Sequence, residues 1–417
     1  MDARADPFYS HVMSMISRRT LFAGAAAFGV AGCITASRPQ AYALVGGAIV
    51  GSPHRVATIV VEGTRISAIQ REAPSSAVVI DVSGKFIMPG LCDMHAHIAT
   101  APPIGSAPER YVGWGVLGIR DMGGDLPALL QLRREITDGR VGPNLYIAGP
   151  TLNGEQFAPF QRAIGDAEEA RVAVRELKAV GVDFIKTHRA TSRDAFFALV
   201  DEAQRQGLDV AGHVPLQVTW DEAAAVGMRT FEHAQTILEN ELSAGPNRAE
   251  NLDVAINRLQ GARLNQITAA LRSAGAYFDP TLIFYERTID NRPELAERRR
   301  QLYEMLKLWV GRIHGADVPI LAGTDATNDF GEPLHLELER LVECGLTNRE
   351  ALAAATSIPA TLMRRPDLGV VERGAEASFI IIDADPIADI RNLRRLSGVV
   401  LRGRYLDAAE LTALRQV

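Results

Sequence analysis

The chain has 417 residues, enough for one large barrel or two ordinary domains. Its 47% hydrophobic content and 36 glycines suit a packed α/β protein and exclude a disordered or fibrous one. Net charge is −6 with acidic and basic residues interspersed, so no basic stripe supports a nucleic-acid partner.

Residues 1–43 read as a targeting segment. Ser17-Arg18-Arg19-Thr20-Leu21-Phe22 carries paired arginines ahead of the apolar run 21–31, which is too short to span a bilayer as a helix. Such a pair resembles a twin-arginine export signal and predicts a periplasmic or cell-envelope protein. The first twelve residues do not look like a signal, which points to Met13 or Met15 as the start. Two processing readings stand side by side. Val30-Ala31-Gly32-Cys33 resembles a lipobox that would make Cys33 an acylated membrane anchor, whereas Ala41-Tyr42-Ala43 fits an ordinary cleavage site. Cys92 and Cys344, in a predicted strand and a predicted helix, read as small buried hydrophobes.

Beyond this segment, runs 44–50, 56–61, 66–69 and 78–82 read as short strands separated by Gly, Pro and Ser. From residue 86 the pattern becomes strand, loop, helix, repeated. Strands are expected to end at Met94, Asp121, Gly149, Lys186, Gly212, Glu232, Asp279 and Gly323. Helices are expected over 166–180, 192–206, 221–226, 252–274 and 293–313. The first of these places Ala167, Ala170, Val174, Leu177 and Val180 on one face. Strands alternating with helices predict an α/β fold, a (β/α)8 TIM-like barrel over residues 86–367. Helices follow at 334–344, 348–356 and 359–364, then strands at 378–382 and 399–402. The late strands are expected to pair with the early ones, making a small β-sandwich from residues 44–85 and 368–410.

The chemistry lies at strand ends. In Asp93-Met94-His95-Ala96-His97, alternate side chains of an extended strand share a face, so His95 and His97 point together. Two converging imidazoles are half of a Zn-type site, though His-x-His alone is weak. His213 and His233 end two further strands, where barrel active sites are built. Lys186, in Phe184-Ile185-Lys186, would be costly if buried, charged and unpaired. Its stem could lie along an apolar wall with its head in solvent. Alternatively, a neutral amine could take up carbon dioxide, and the resulting carbamate could bridge two metals. Asp325, in Gly323-Thr324-Asp325, is placed to bind metal and accept a proton, or is a satisfied loop carboxylate. Four imidazoles, an amine and a carboxylate are the ligand set of a two-metal hydrolase centre. His188, Arg189, Asn153 and Tyr285 are candidates for contacting substrate, with exposed turn or packing roles as the alternatives. His335 stands at a plausible pocket edge, a core role being the alternative.

The order His-x-His, Lys, His, His, Asp resembles the amidohydrolase superfamily with a binuclear centre. Pro89-Gly90-Leu91-Cys92-Asp93-Met94-His95, Gly212-His213-Val214 and Phe231-Glu232-His233 resemble its imidazolonepropionase-like and prolidase-like branch. So do Ala351-Leu352-Ala353-Ala354-Ala355-Thr356 and the stretch ending Asp383-Ala384-Asp385-Pro386, over roughly Leu44 to Asp407. The resemblance implies two divalent ions, with zinc the expected metal. His95, His97 and Asp325 would hold the first, His213 and His233 the second, and carboxylated Lys186 would bridge them. A bridging hydroxide would attack a carbonyl polarised by the second metal, and Asp325 would pass its proton to the leaving nitrogen. The implied reaction is amide hydrolysis of a small molecule: an N-acyl amino acid, a dipeptide or a cyclic amide. An esterase, lactonase or phosphotriesterase on the same centre is the alternative; a non-catalytic, metal-containing envelope binding protein ranks below both. A homo-oligomer is also an open expectation. Two departures stand out. The loop Gly149-Pro150-Thr151-Leu152-Asn153-Gly154-Glu155-Gln156 lacks the histidine many dipeptidases of this branch carry there, which puts dipeptide specificity in doubt. The usual Gly-x-x-Ala-Asp near the C-terminus is Gly374-Ala375-Glu376-Ala377-Ser378.

Overall fold

A computed structural model describes residues 41–52, 57–101, 103–245 and 248–417. Met13, Met15, Arg18, Arg19, Cys33 and Val56 lie outside the described residues. In chain order the strands are β1 (Tyr42–Ile49), β2 (Ala57–Glu62), β3 (Arg65–Gln70), β4 (Val78–Asp81), β5 (Phe86–Pro89) and β6 (Leu91–Ala96). Next come β7 (Val116–Asp121), β8 (Asn144–Ile147), β9 (Thr151–Asn153), β10 (Gln161–Ala163), β11 (Phe184–Thr187) and β12 (Asp209–Gly212). The last are β13 (Thr230–Glu232), β14 (Tyr277–Asp279), β15 (Phe379–Ile382), β16 (Leu396–Leu401) and β17 (Arg404–Asp407).

The early and late strands pair with each other. They form one eight-stranded sheet, ordered β17-β16-β15-β5-β1-β2-β3, with β4 on β1. The join is antiparallel, β15 on β5, with Ile381 opposite Ile87 and Ile380 opposite Met88. Leu44, Ile59, Ile66, Ile87, Phe379 and Val400 give this sheet a core of its own. The apolar run 87–91 is divided at Gly90, where a Cβ would meet the Leu117 side chain at 2.5 Å. Pro89 thus closes β5 of this sheet, while Leu91 opens β6 of another.

Two parallel sheets occupy the middle of the chain. One is β6-β7-β8; the other is β10-β9-β11-β12-β13-β14. Helices connect most successive strands, β8 to β9 and β9 to β10 excepted, and several of their starts are written in the sequence. Asp125, Asp166, Ser192, Thr219 and Asn251 each accept a backbone N–H three residues ahead, a cap worth about 1 kcal/mol. Helix Ala167–Val180 buries Ala170, Ala173, Val174 and Leu177, while Val180, expected on the same face, is exposed.

The eighth strand departs from expectation. Among the described residues, the segment 318–326 forms single bridges, Ile320 to Phe278 and Ala326 to Ala96, in place of a ladder. Its backbone still bonds both neighbours: Leu321 N–H donates to Phe278 O, and Met94 N–H donates to Ala322 O. The segment ends at Asp325, whose left-handed φ of 54° leaves the extended region. At the far seam, Asp183 N–H donates to Ile147 O and links β8 to β11.

Candidate metal centre

His95 is fully buried within β6, and His97 follows it. His95 Nδ1 lies 2.8 Å from Glu232 Oε2, and His97 Nδ1 lies 2.8 Å from Gly123 O. Carboxylate and carbonyl oxygens accept, so each Nδ1 donates and each Nε2 keeps its lone pair. Both Nε2 atoms converge on Asp325 Oδ1, at 3.6 Å from His95 and 3.2 Å from His97. His233 approaches the other carboxylate oxygen, Nδ1 to Oδ2, at 3.8 Å. Donor atoms of His95, His233 and Asp325 lie within 4.8 Å of one another, the spacing of a metal cradle. His95, Glu232 and Asp279 do too, but there the carboxylate is already bonded to His95 and to Arg120.

The imidazoles form a row. His233 lies 4.5 Å from His95 and 4.5 Å from His213, centroid to centroid, and His213 lies 4.3 Å from His188. Burial holds His95, His213 and His233 well below the ordinary histidine pKa, which keeps them neutral, as ligation requires. Burial also lowers His97, but the Asp325 carboxylate overrides it, and the net shift is upward. Asp325 shows the complement. Burial raises it, while His97 and His233 more than offset this and hold it low. Lys186 is 2% exposed and its Nζ makes no hydrogen bond. Burial draws its pKa down to about 8, against the raising influence of Glu232 and Asp325. A buried amine and the buried Nε2 of His95, both without a hydrogen-bond partner, are what an unfilled ligand set would leave.

Backbone strain collects here. His233, Thr281 and Asp325 take positive φ angles of 67°, 47° and 54°, a conformation costing a non-glycine residue on the order of 1 kcal/mol or more. Hydrogen bonds hold two of the turns. His233 N–H donates to Asp279 O at 2.8 Å, and Asp325 N–H donates to His95 O at 2.7 Å. Thr281 Oγ1 sits 2.8 Å from His233 Nδ1 and orients that ring.

The substrate candidates divide. His188 packs against His213 at 4.3 Å with its ring tilted by 49°, at the site. Asn153 is fully buried; its Oδ1 accepts from Ala190 N–H at 3.0 Å and so anchors the loop carrying His188 and Arg189. Tyr285 points elsewhere, stacked on Tyr303 at 6.1 Å, and its neighbour Phe284 faces His233 at 6.4 Å. On the other flank, Phe160 lies 6.2 Å from His97. His335 packs on Trp114, its Nε2 donating to Trp114 O at 2.8 Å. Sequence reasoning assigned no role to Glu232, Arg120, Thr281 or Glu337. Arg120 alone left a signal, a charge inside the apolar run of β7.

Residues 86–406 match the amidohydrolase family. The chain belongs to that family. It is a hydrolase acting on carbon–nitrogen bonds of a small-molecule substrate, in a family whose members depend on metal. This amidohydrolase is 24% identical over 399 residues to an imidazolonepropionase of Anaeromyxobacter dehalogenans, covering 83% of this chain and 90% of that one. Among solved structures it resembles a protein from Bifidobacterium longum described as a putative prolidase, with 25% identity, TM-score 0.70, and 90% and 98% of the two chains covered. The ochratoxinase of A. niger shares the fold, with 21% identity, TM-score 0.71, and 89% and 96% covered.

Proposed function

We propose that this amidohydrolase cleaves the amide bond of a small substrate, an N-acyl amino acid, a dipeptide or a cyclic amide, at a centre of two zinc-type ions. The convergence of the His95 and His97 Nε2 atoms on Asp325 carries the reading. His95, His97 and Asp325 would hold one ion, and His213 and His233 the other. Lys186 is a buried amine drawn toward neutrality, close enough to act electrostatically on His95, His213, His233 and Asp325. Addition of carbon dioxide to this amine would form an N–C bond, release a proton and supply carbamate oxygens as further metal ligands. Bound ions supply a lowered water pKa and a polarised carbonyl. Asp325 remains a carboxylate well below neutral pH. It accepts the proton of the attacking water and delivers it to the leaving nitrogen, which departs as an amine. Phe160 and Phe284 flank the row of histidines as apolar walls, while His188 faces the site beside His213 as a contact for substrate.

In this reading β6, β7, β8, β11, β12, β13, β14 and the segment 318–326 are the eight-stranded wall of a (β/α)8 barrel, flanked by a β-sandwich from the chain ends. Export to the cell envelope belongs to the same proposal, with acylation at Cys33 favoured over cleavage after Ala43. Tyr42 supports this. It is buried in β1, pairs with Val61 and Val78, and donates its hydroxyl to Gly403 O at 3.1 Å. Cleavage after Ala43 would remove that buried ring. Mass spectrometry of the mature N-terminus decides the point, and a start at Leu44 would refute the anchor.

The functional test is a hydrolysis screen of zinc-loaded protein against N-acyl amino acids and dipeptides, with ester analogues beside them and Asp325→Asn in parallel. Amide turnover that is lost with chelator and in Asp325→Asn is expected. Ester turnover without amide turnover would move the assignment to the esterase alternative.

A further inference from the structure

Arg120, at 1% exposure the most deeply buried guanidinium near the site, belongs to none of the ligand positions. It ties its own strand, β7, to three others through polar contacts. Nε donates to Met94 O of β6 at 2.6 Å, Nη1 to Thr230 Oγ1 of β13 at 2.9 Å, and Nη2 to Glu232 Oε1 of β13 at 2.8 Å. Nη2 also lies 3.7 Å from Asp279 Oδ2 of β14. The Thr230 hydroxyl donates to Glu232 Oε1 at 2.5 Å. Glu232 therefore has one oxygen saturated and one free to point. The free oxygen, Oε2, meets His95 Nδ1.

A buried carboxylate needs a fixed cation and filled hydrogen bonds, and Arg120 with Thr230 supplies both. In return the carboxylate settles which imidazole nitrogen carries the proton. With Oε2 accepting at Nδ1, the His95 lone pair sits on Nε2, the atom that converges on Asp325. A histidine ring can rotate by half a turn at little intrinsic cost, so this tautomer and this ring orientation both require an outside partner. The next residue after Glu232 is His233, which lies between His95 and His213 in the row.

We propose that Arg120, Thr230 and Glu232 form a buried positioning unit that presents His95 to the first ion. The proposal rests on the two-ion reading above. Glu232 is a positioning residue for a ligand of one ion, while its chain neighbour His233 serves the second ion directly.

Glu232→Gln tests it sharply, because shape is retained and only the acceptor is altered. With the amide oxygen toward Arg120 and Thr230, its NH2 faces Nδ1, favours an accepting Nδ1 and leaves the proton on Nε2. Cobalt(II) is titrated into metal-free protein against a competing chelator and followed by its visible spectrum. His213→Ala identifies which step belongs to the second ion. The expected result for Glu232→Gln is a first ion bound about 10- to 100-fold more weakly and a second ion bound as in wild type, with a lowered melting temperature of the metal-free protein because buried Arg120 loses its charged partner. Thr230→Val, which removes one bond to Glu232 and keeps its volume, should shift the first ion the same way by a smaller factor. Unchanged first-ion affinity in Glu232→Gln, or equal loss of both ions, would overturn the proposal. Should Glu232→Gln fail to fold, unchanged first-ion affinity in Thr230→Val overturns it. Wild-type protein that binds no cobalt overturns the metal-centre reading itself.

Discussion

Replacing Glu337 by alanine should destabilise the protein by about 4 kcal/mol and loosen His233, although the residue lies outside the ligand row. Helix Leu282–Thr288 begins just after β14, with Thr281 in its N-cap position but making no side-chain cap bond. The Thr281 hydroxyl is committed to His233 instead. Capping is taken over by Glu337, from helix Glu332–Glu343, whose two oxygens accept the N–H groups of Leu282 at 3.0 Å and Ile283 at 2.7 Å. Leu282 is fully buried and Ile283 nearly so. Truncation leaves two buried N–H groups without acceptors, at about 1–3 kcal/mol each, and removes an anionic or polar group from a helix N-terminus, at about 0.3–1 kcal/mol. Urea unfolding of metal-free protein, followed by two probes whose transitions must coincide, measures the total. Native-state hydrogen exchange at Leu282 and Ile283 localises it. A loss under about 1 kcal/mol, or unchanged protection of those two amides, would refute the argument.

Gly323→Ala should cost about 2 kcal/mol or more by overpacking, since its Cβ would lie 2.4 Å from Asp279 Oδ2 and 2.5 Å from His95 Cβ. The Asp279 carboxylate can rotate aside but the His95 backbone cannot, so metal affinity should fall together with stability; isothermal titration and denaturation should register both, and neither would move if the site were loosely packed. His335 should make the fold acid-sensitive. Burial lowers its pKa to about 4, so the unfolded chain binds a proton near pH 6.5 that the native state refuses. The stabilisation is complete above pH 6.5 and is lost as pH falls toward 4, amounting to about 3 kcal/mol. Metal-loaded His335→Gln, compared with wild type by denaturation at pH 7 and pH 4.5, should lose less stability on acidification; identical losses would contradict the assignment.

Much of the fold was legible because the pattern that reports it is local. Strands end at Asp121, Gly212, Glu232 and Asp279 as apolar periodicity places them, and helix starts fall on Asp, Ser, Thr and Asn caps. Where one pattern runs across a break, it misleads. Residues 252–274 keep helical spacing throughout, yet the structure has two helices, Leu252–Gln260 and Ala262–Ser273, divided at Gly261 with ψ −138°. Residues 293–313 begin with a 3-10 turn at Pro293–Leu295 before the α-helix Ala296–His314. The eighth strand was masked in the other direction. Its apolar run reads as a strand, whereas the structure gives it single bridges at Ile320 and Ala326 and a left-handed turn at Asp325, whose N–H donates to His95 O.

The candidate ligands were legible for a different reason: imidazoles and an amine at the ends of apolar runs are rare residue types in costly places. Their supports are not marked in this way. Glu232 acts on His95 across 137 positions, Thr281 on His233 across 48, and Glu337 on Ile283 across 54. No local spacing predicts such pairs, because each depends on which strands and helices the fold brings side by side. One signal could have been used. The rule that made Lys186 informative, a charge that burial would penalise inside an apolar strand, applies equally to Arg120 in Val116–Asp121. Applied to both, it picks out one cation whose amine makes no hydrogen bond and one whose guanidinium makes three. The unsatisfied one is the bridging position of the proposed centre, and the satisfied one is part of the scaffold that supports it. Only the structure separates these two roles.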